Sequence, residues 1–191
     1  MPVDLTFRDV HIVAGAGTPA FAGDVAIDGD RIVAVGEAPA GTREVDGRGM
    51  VLAPGFVDTH SHDNGAFIRH PGMEFKLAQG VTSEISGNCG FSAAPNIPGK
   101  QILPGDIVGA GADWEDFDGY FAACEARRPA INNAMLVGHN RVRAMVIGVE
   151  RRSPTADELA LMRGCSGRSR GCFRTTCVGV ECCRSKRRCG A

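Results

Sequence analysis

The sequence predicts an α/β fold in two parts, and three observations carry that prediction. Residues 1–50 read as a string of short strands separated by turn signals. Residues 51–163 alternate apolar, β-branched runs with helical patterns, the order expected of parallel strand–helix units. The first of those runs opens into Asp58-Thr59-His60-Ser61-His62-Asp63, a concentration of metal-ligand residue types in a chain with only five histidines.

Composition sets the outer bounds. The chain has 191 residues, 43% hydrophobic and 23% charged, with a formal net charge of −1, a globular composition sufficient for one substantial core. No apolar run reaches the length of about 18 residues that a membrane span needs. Met1-Pro2-Val3-Asp4 lacks the basic start and apolar stretch of a secretion signal, so the expected location is cytoplasmic.

In the first part, Asp4 to Val13 alternates well enough for one or two strands, and Gly15-Ala16-Gly17-Thr18-Pro19 reads as a loop. Asp24 to Ile27 and Arg31 to Val35 flank Asp28-Gly29-Asp30, a hairpin signal because Asp-Gly tolerates positive φ. Arg43 to Asp46 is a further strand. No catalytic residue type clusters here, which fits a small β-sheet domain.

The second part begins with Val51-Leu52-Ala53-Pro54 and an apolar run holding Phe56 and Val57, expected to be a short buried strand. Side chains alternate along a strand, so His60 and His62 would share a face where the run turns polar. Two imidazoles so placed can grip one metal ion, zinc or a neighbour in the first transition row. The competing reading is a pair of surface histidines at a strand end. Asp58 before the pair and Asp63 after it favour the metal.

Gly55-Phe56-Val57-Asp58-Thr59-His60-Ser61-His62 resembles the first-strand signature of the amidohydrolase superfamily. The resemblance implies a metal-dependent hydrolase on a distorted (β/α)8 barrel, with His60 and His62 as metal ligands. It also implies that residues 1–50 are part of a β-sandwich and that residues 51–163 are the first units of the barrel. Active sites of such barrels lie at the carboxyl ends of the strands.

Pro71 to Gln79 suits a short helix ended by Gly80, and Val81-Thr82-Ser83-Glu84-Ile85 is a second strand. It runs into Gly87-Asn88-Cys89-Gly90, where flanking glycines suggest a tight turn that lifts the thiol out of the core. A lone cysteine is usually a small buried hydrophobe. After the second barrel strand, however, its thiolate would be a natural zinc ligand. Gly80-Val81-Thr82 with Gly87-Asn88-Cys89-Gly90-Phe91-Ser92 resembles the D-aminoacylase branch, the N-acyl-D-amino-acid deacylases. That resemblance implies Cys89 as a third zinc ligand and a small N-acyl-D-amino acid as substrate.

Residues 93–113 are Pro- and Gly-rich and read as a loop over the barrel mouth. Trp114 to Ala126 is a helix with Phe117, Tyr120, Phe121 and Cys124 on its core face, and Ile131 to Val137 is a third strand. Gly138-His139-Asn140-Arg141-Val142-Arg143 resembles the Gly-His-x-x-x-Arg segment of D-aminoacylases, with Asn140 where glycine is common. His139 is expected in the pocket rather than on the metal. Arg141 and Arg143 could meet a substrate carboxylate, Arg143 being the candidate, although solvated arginines are the ordinary reading. Thr155-Ala156-Asp157-Glu158 is a capping box opening a helix.

The composition then breaks. Residues 163–191 hold seven Arg and one Lys against one Glu, and six of the eight cysteines. No Cys-x-x-Cys occurs there, and no aromatic-interleaved basic motif. Residues 164–191 are therefore expected to be a disordered Cys/Arg-rich tail arising from a shifted reading frame, on a truncated and inactive chain. The family mechanism uses zinc to acidify water and polarise the amide carbonyl, with an aspartate after the last barrel strand as general base. That aspartate would lie beyond the break. Neither nucleic acid nor membrane is an expected partner. Two rival readings stand beside this one: a non-catalytic zinc-binding protein that uses the Cys/Arg tail, or another amidohydrolase such as a dihydroorotase or deaminase.

Overall fold

The structure, a computed structural model, describes residues 2–102 and 112–167. It divides into two compact units, one up to Gly55 and one from Phe56 onward.

The first unit is one mixed sheet. Its strands are β1 (Val3–Ile12), β2 (Phe21–Asp28), β3 (Arg31–Gly36), β4 (Gly41–Asp46) and the short β5 (Val51–Leu52). The order is β3-β2-β1-β4, with β5 also paired to β1. The Asp-Gly signal yields the β2–β3 hairpin, whose antiparallel register pairs Asp28 with Arg31. β4 and β5 both run parallel to β1. Val10, Ile12 and Val25 form the buried cluster of this sheet. Arg8 adds long-range polar ties, its guanidinium bridging Asp24 on β2 and Glu44 on β4, each at 2.6 Å.

Among the described residues the unit is a single sheet, and Ile32, Val33 and Val35 of β3 are exposed. The boundary moves from residue 50 to residue 55. Backbone N–H groups of His11 and Val13 donate to the carbonyls of Met50 and Leu52, which holds β5 in the first sheet.

The second unit is built from parallel strand–helix crossovers. Strands β6 (Phe56–Asp58), β7 (Val81–Ser86) and β8 (Asn132–Met135) form a parallel sheet in sequential order. The β6–β7 connection carries the short helices α1 (Ala66–Arg69) and α2 (Glu74–Leu77). The β7–β8 connection carries α3 (Phe117–Arg127). Asp116 caps α3 by accepting from the Gly119 amide, and Phe117, Tyr120, Phe121 and Cys124 are buried as their helical spacing predicts. They pack with Phe67, Met73, Trp114, Ile131 and Met135 into the main core. Burial pushes the Cys124 thiol up to about 11, so it stays a protonated, inert core group.

The long connection is less superficial than its composition predicts. Ala93, Ala94 and Asn96 are buried, and the Trp114 indole donates to the Ala93 carbonyl at 2.9 Å. Beyond β8, α4 (His139–Ile147) and α5 (Ala156–Gly167) pack through Val142, Ile147 and Met162. The capping box forms as predicted. The Thr155 amide donates to the Glu158 carboxylate at 2.8 Å, and the Glu158 amide donates to Thr155 Oγ1 at 3.2 Å.

The helix α5 runs on to Gly167, past the point near residue 164 where periodicity in the sequence stops. The remainder of the expected tail, residues 168–191, lies outside the described residues. Among the described residues no helix is long and apolar enough to cross a membrane.

Candidate metal centre

The donor residues reach one place by two different routes. β6 ends at Asp58, so His60 and His62 follow the strand instead of lying on it. The run before them is also not buried: Phe56 and Val57 are 60% and 56% exposed, because β6 is a three-residue strand that among the described residues pairs only with β7. One backbone bond follows the strand, the Ser61 amide donating to the Ile85 carbonyl at 3.2 Å. The two imidazoles meet edge to face with ring centroids 5.7 Å apart.

Cys89 comes from the other side. β7 stops at Ser86, Gly87 takes φ 85°, and a single 3-10 turn covers Asn88–Gly90. Gly87 has to be glycine twice over, because a Cβ there would collide with the Leu136 carbonyl as well as strain the backbone. Cys89 itself holds φ 55°, a left-handed conformation that is unusual for a residue with a side chain. The turn lifts the thiol to the surface, where its Sγ lies 3.4 Å from His60 Nε2.

Donor atoms of His60, His62 and Cys89 all lie within 4.8 Å of one another, and all three residues are exposed. Two imidazoles and a thiol are the donor set zinc prefers. Tetrahedral zinc with ordinary Zn–N and Zn–S bonds would space such donors about 3.5 Å apart. The residues therefore fit the ion, and the thiol–imidazole spacing is already close to that value.

A buried charge cluster supports the histidine segment, and no local pattern in the chain reveals it. Lys76 on α2 is 8% exposed. Its ammonium lies 2.6 Å from Asp58, 2.9 Å from Asp63 and 3.3 Å from Glu84. Asp58 and Asp63 bracket the two histidines, and Asp58 also accepts from the His60 amide at 3.1 Å. Burial works against the Lys76 charge, but hydrogen bonds to Asp58 and Asp63, with Glu84 nearby, hold its pKa above the ordinary lysine value. The Lys76 hydrogen bond and the His60 amide hold Asp58 below the usual carboxylate range. Burial moves Glu84, fully enclosed on β7, in the opposite direction.

The other expected site residues are placed as follows. His139 is exposed at the start of α4, four residues beyond the end of β8. Its neighbour Asn140 donates to the Cys89 carbonyl at 3.1 Å, so this loop abuts the donor turn. Gly138 makes the approach possible, since a Cβ there would collide with the Gly90 carbonyl. Arg143 donates to the carbonyls of Glu150 and Arg152, closing the connection to α5. Arg141 is not solvated: it is 1% exposed and donates to the Pro95 carbonyl and to Asn96 Oδ1. Those groups lie about 45 residues away in sequence, a pairing no local pattern reveals.

Comparison with known proteins now decides the family. A profile described as "Amidohydrolase family" matches residues 43–171, most of the chain. The chain belongs to the amidohydrolase family. Curated relatives in Alcaligenes xylosoxydans xylosoxydans include an N-acyl-D-glutamate deacylase, 41% identical over 164 residues. Its alignment covers 84% of this chain and 33% of the relative. A D-aminoacylase from the same organism is 37% identical over 203 residues, covering 96% of this chain and 42% of the relative. This amidohydrolase chain thus spans about a third to two-fifths of the length of those relatives.

Solved structures agree. A D-aminoacylase described as having a binuclear metal centre superposes with a TM-score of 0.79 at 37% identity, over 88% of this chain and 36% of that one. The N-acyl-D-glutamate deacylase of Bordetella bronchiseptica, complexed with zinc and a phosphonate inhibitor, gives 0.73 at 36% identity. It covers 86% of this chain and 35% of that one. The family expected from the histidine and cysteine motifs is therefore the family found.

Proposed function

We propose that this chain carries three donors of a zinc centre that hydrolyses the amide bond of N-acyl-D-amino acids, on the opening units of a (β/α)8 barrel. The observation that carries the proposal is the convergence of Cys89 on His60 and His62, from the turn after β7. A thiolate donor at that point is what the D-aminoacylase resemblance implies, and it separates this reading from a dihydroorotase or deaminase. The sequential parallel order of β6, β7 and β8 supports the barrel.

His60, His62 and Cys89 would hold the ion. Zinc, when bound, supplies Lewis-acid polarisation of the scissile carbonyl and acidification of water. The residues of this chain supply position. Asp58 fixes the His60 backbone, Lys76 neutralises the carboxylates around the histidines, and the exposed cluster leaves its outer side open to a small substrate. His139, beside the donor turn, is the pocket residue we assign to substrate contact. Arg143 is a weaker candidate because a guanidinium nitrogen already serves two carbonyls. A cytoplasmic setting would keep the Cys89 thiol reduced and available.

The donor cluster contains no carboxylate among the described residues, and both flanking aspartates are bound to Lys76. The 191-residue chain is therefore expected to bind zinc with little or no turnover. The test combines zinc stoichiometry by elemental analysis with hydrolysis assays on N-acetyl-D-glutamate and N-acetyl-D-methionine. Near-stoichiometric zinc, lost when His60, His62 or Cys89 is replaced, supports the reading. A chain that binds no zinc would overturn the metal centre, and brisk zinc-dependent hydrolysis would overturn the expected inactivity.

A further inference from the structure

Two asparagines tie the histidine segment and the cysteine turn together, each bonding backbone groups of the opposite segment. Asn64, two residues after His62, is fully buried. Its Oδ1 accepts from the Gly87 amide at 3.1 Å and its Nδ2 donates to the Phe91 carbonyl at 3.0 Å. These two residues bracket Cys89 symmetrically, two before and two after. Asn88, one residue before Cys89, reaches back. Its Nδ2 lies 3.3 Å from the Ser61 carbonyl, between the two histidines, and 2.9 Å from the Ile85 carbonyl.

The lock is anchored in the core. Tyr120 Oη donates to the Asn64 carbonyl at 2.8 Å and accepts from Asn133 Nδ2 at 3.1 Å. Asn133 in turn accepts from Ser86 Oγ on β7 at 3.2 Å. Both ligand-bearing segments are thus tied to one buried polar chain, every member of which is satisfied. Such networks rigidify what they touch.

The strain at Cys89 gives the arrangement a purpose. A non-glycine residue at φ 55° is strained and persists only where its surroundings over-determine it. Without the bonds at Gly87 and Phe91, the turn could relax and carry the thiol away from His60.

We propose that Asn64 and Asn88 are reciprocal positioning residues that set the spacing of the Cys89, His60 and His62 donors before any metal arrives. The proposal rests on the metal-centre reading above, so its test has one arm that needs no metal.

In the metal-free full chain, amide hydrogen exchange is followed by NMR at Gly87 and Ser61 in wild type, Asn64→Ala and Asn88→Asp. The second substitution is nearly isosteric, turns the amide donor into a carboxylate oxygen facing the Ser61 and Ile85 carbonyls, and lies at a half-buried site, so it keeps the test available if Asn64→Ala does not fold. In the second arm, Co2+ is titrated into each protein and the thiolate-to-cobalt charge-transfer band is recorded. Exchange at Gly87 should accelerate about tenfold or more in Asn64→Ala, and at Ser61 in Asn88→Asp. Co2+ affinity should fall about 10–100-fold, the usual cost of losing groups that orient metal ligands, with a weakened thiolate band.

Folded variants whose amide exchange, cobalt affinity and band match wild type would overturn the proposal. If wild type shows no thiolate band, the metal-centre reading fails, and the exchange arm decides the lock alone. Accelerated exchange then upholds it and unchanged exchange overturns it.

Discussion

The metal donors and the groups that support them are built in opposite ways. His60, His62 and Cys89 are exposed and sit on irregular backbone after strand ends. Lys76, Glu84, Asn64 and Tyr120 are buried, and each bonds or pairs with residues distant in sequence. Exposure leaves the three side chains open to an ion. It also means that packing cannot hold the donors, so their positions depend on hydrogen bonds and charge pairs behind them. Accuracy at this site is a property of the second region, and ligand chemistry is a property of the first.

Substitutions that separate the two regions should therefore give different signatures. Cys89→Ala is expected to have the largest effect on metal. The thiolate-to-cobalt band should vanish and Co2+ affinity should fall by more than the 10–100-fold typical of supporting residues, while urea unfolding moves little. A full-strength band in Cys89→Ala would place the thiolate elsewhere and break the comparison.

Lys76→Met should show the reverse pattern, with stability lost first. Removing the ammonium leaves Asp58, Asp63 and Glu84 without their counter-charge, and breaking a buried pair from one side costs about 3 kcal/mol. Urea unfolding followed by the fluorescence of Trp114, the single tryptophan, reads this directly. Glu84→Gln should cost far less, about 1 kcal/mol, since burial already disfavours the Glu84 charge. Equal losses in the two variants would show that the cluster does not act through Lys76.

The capping box of α5 provides the smallest effect and a control, because it is an exposed network outside both regions. Thr155→Ala should cost about 1 kcal/mol and leave cobalt affinity unchanged. The Arg152 guanidinium and then the Thr155 amide hold the Glu158 carboxyl at about 2, below its ordinary 4.5. A depressed folded value means the interaction is fully present above pH 4.5 and is lost as pH falls through about 2. An NMR titration of Glu158 with a midpoint near 4.5 would remove that support.

Local physics made much of this molecule legible. The Asp28-Gly29-Asp30 hairpin, the Thr155–Glu158 capping box and the buried face of α3 each depend on residues within four positions of one another, and each formed as read. The candidate ligands were legible for the same reason: His-x-His and Asn-Cys-Gly are short, and the structure brings their side chains together. The family that those motifs resembled is the one the chain belongs to.

Tertiary structure alone decided the rest. It exposed Phe56 and Val57, whose apolar character predicted a buried strand, because a short edge strand gains burial only from neighbours. It buried Arg141 and Lys76, whose charge predicted solvent, because carbonyls and carboxylates from other segments arrived to satisfy them. It brought Asn64 to the backbone of Gly87 and Phe91, and Asn88 to the backbone of Ser61 and Ile85, pairings that no local pattern reveals. Periodicity and turn chemistry record what a residue does to its own segment. Which distant polar group will meet it is fixed only when the chain closes on itself, and on our proposal that meeting sets the spacing of the candidate donors.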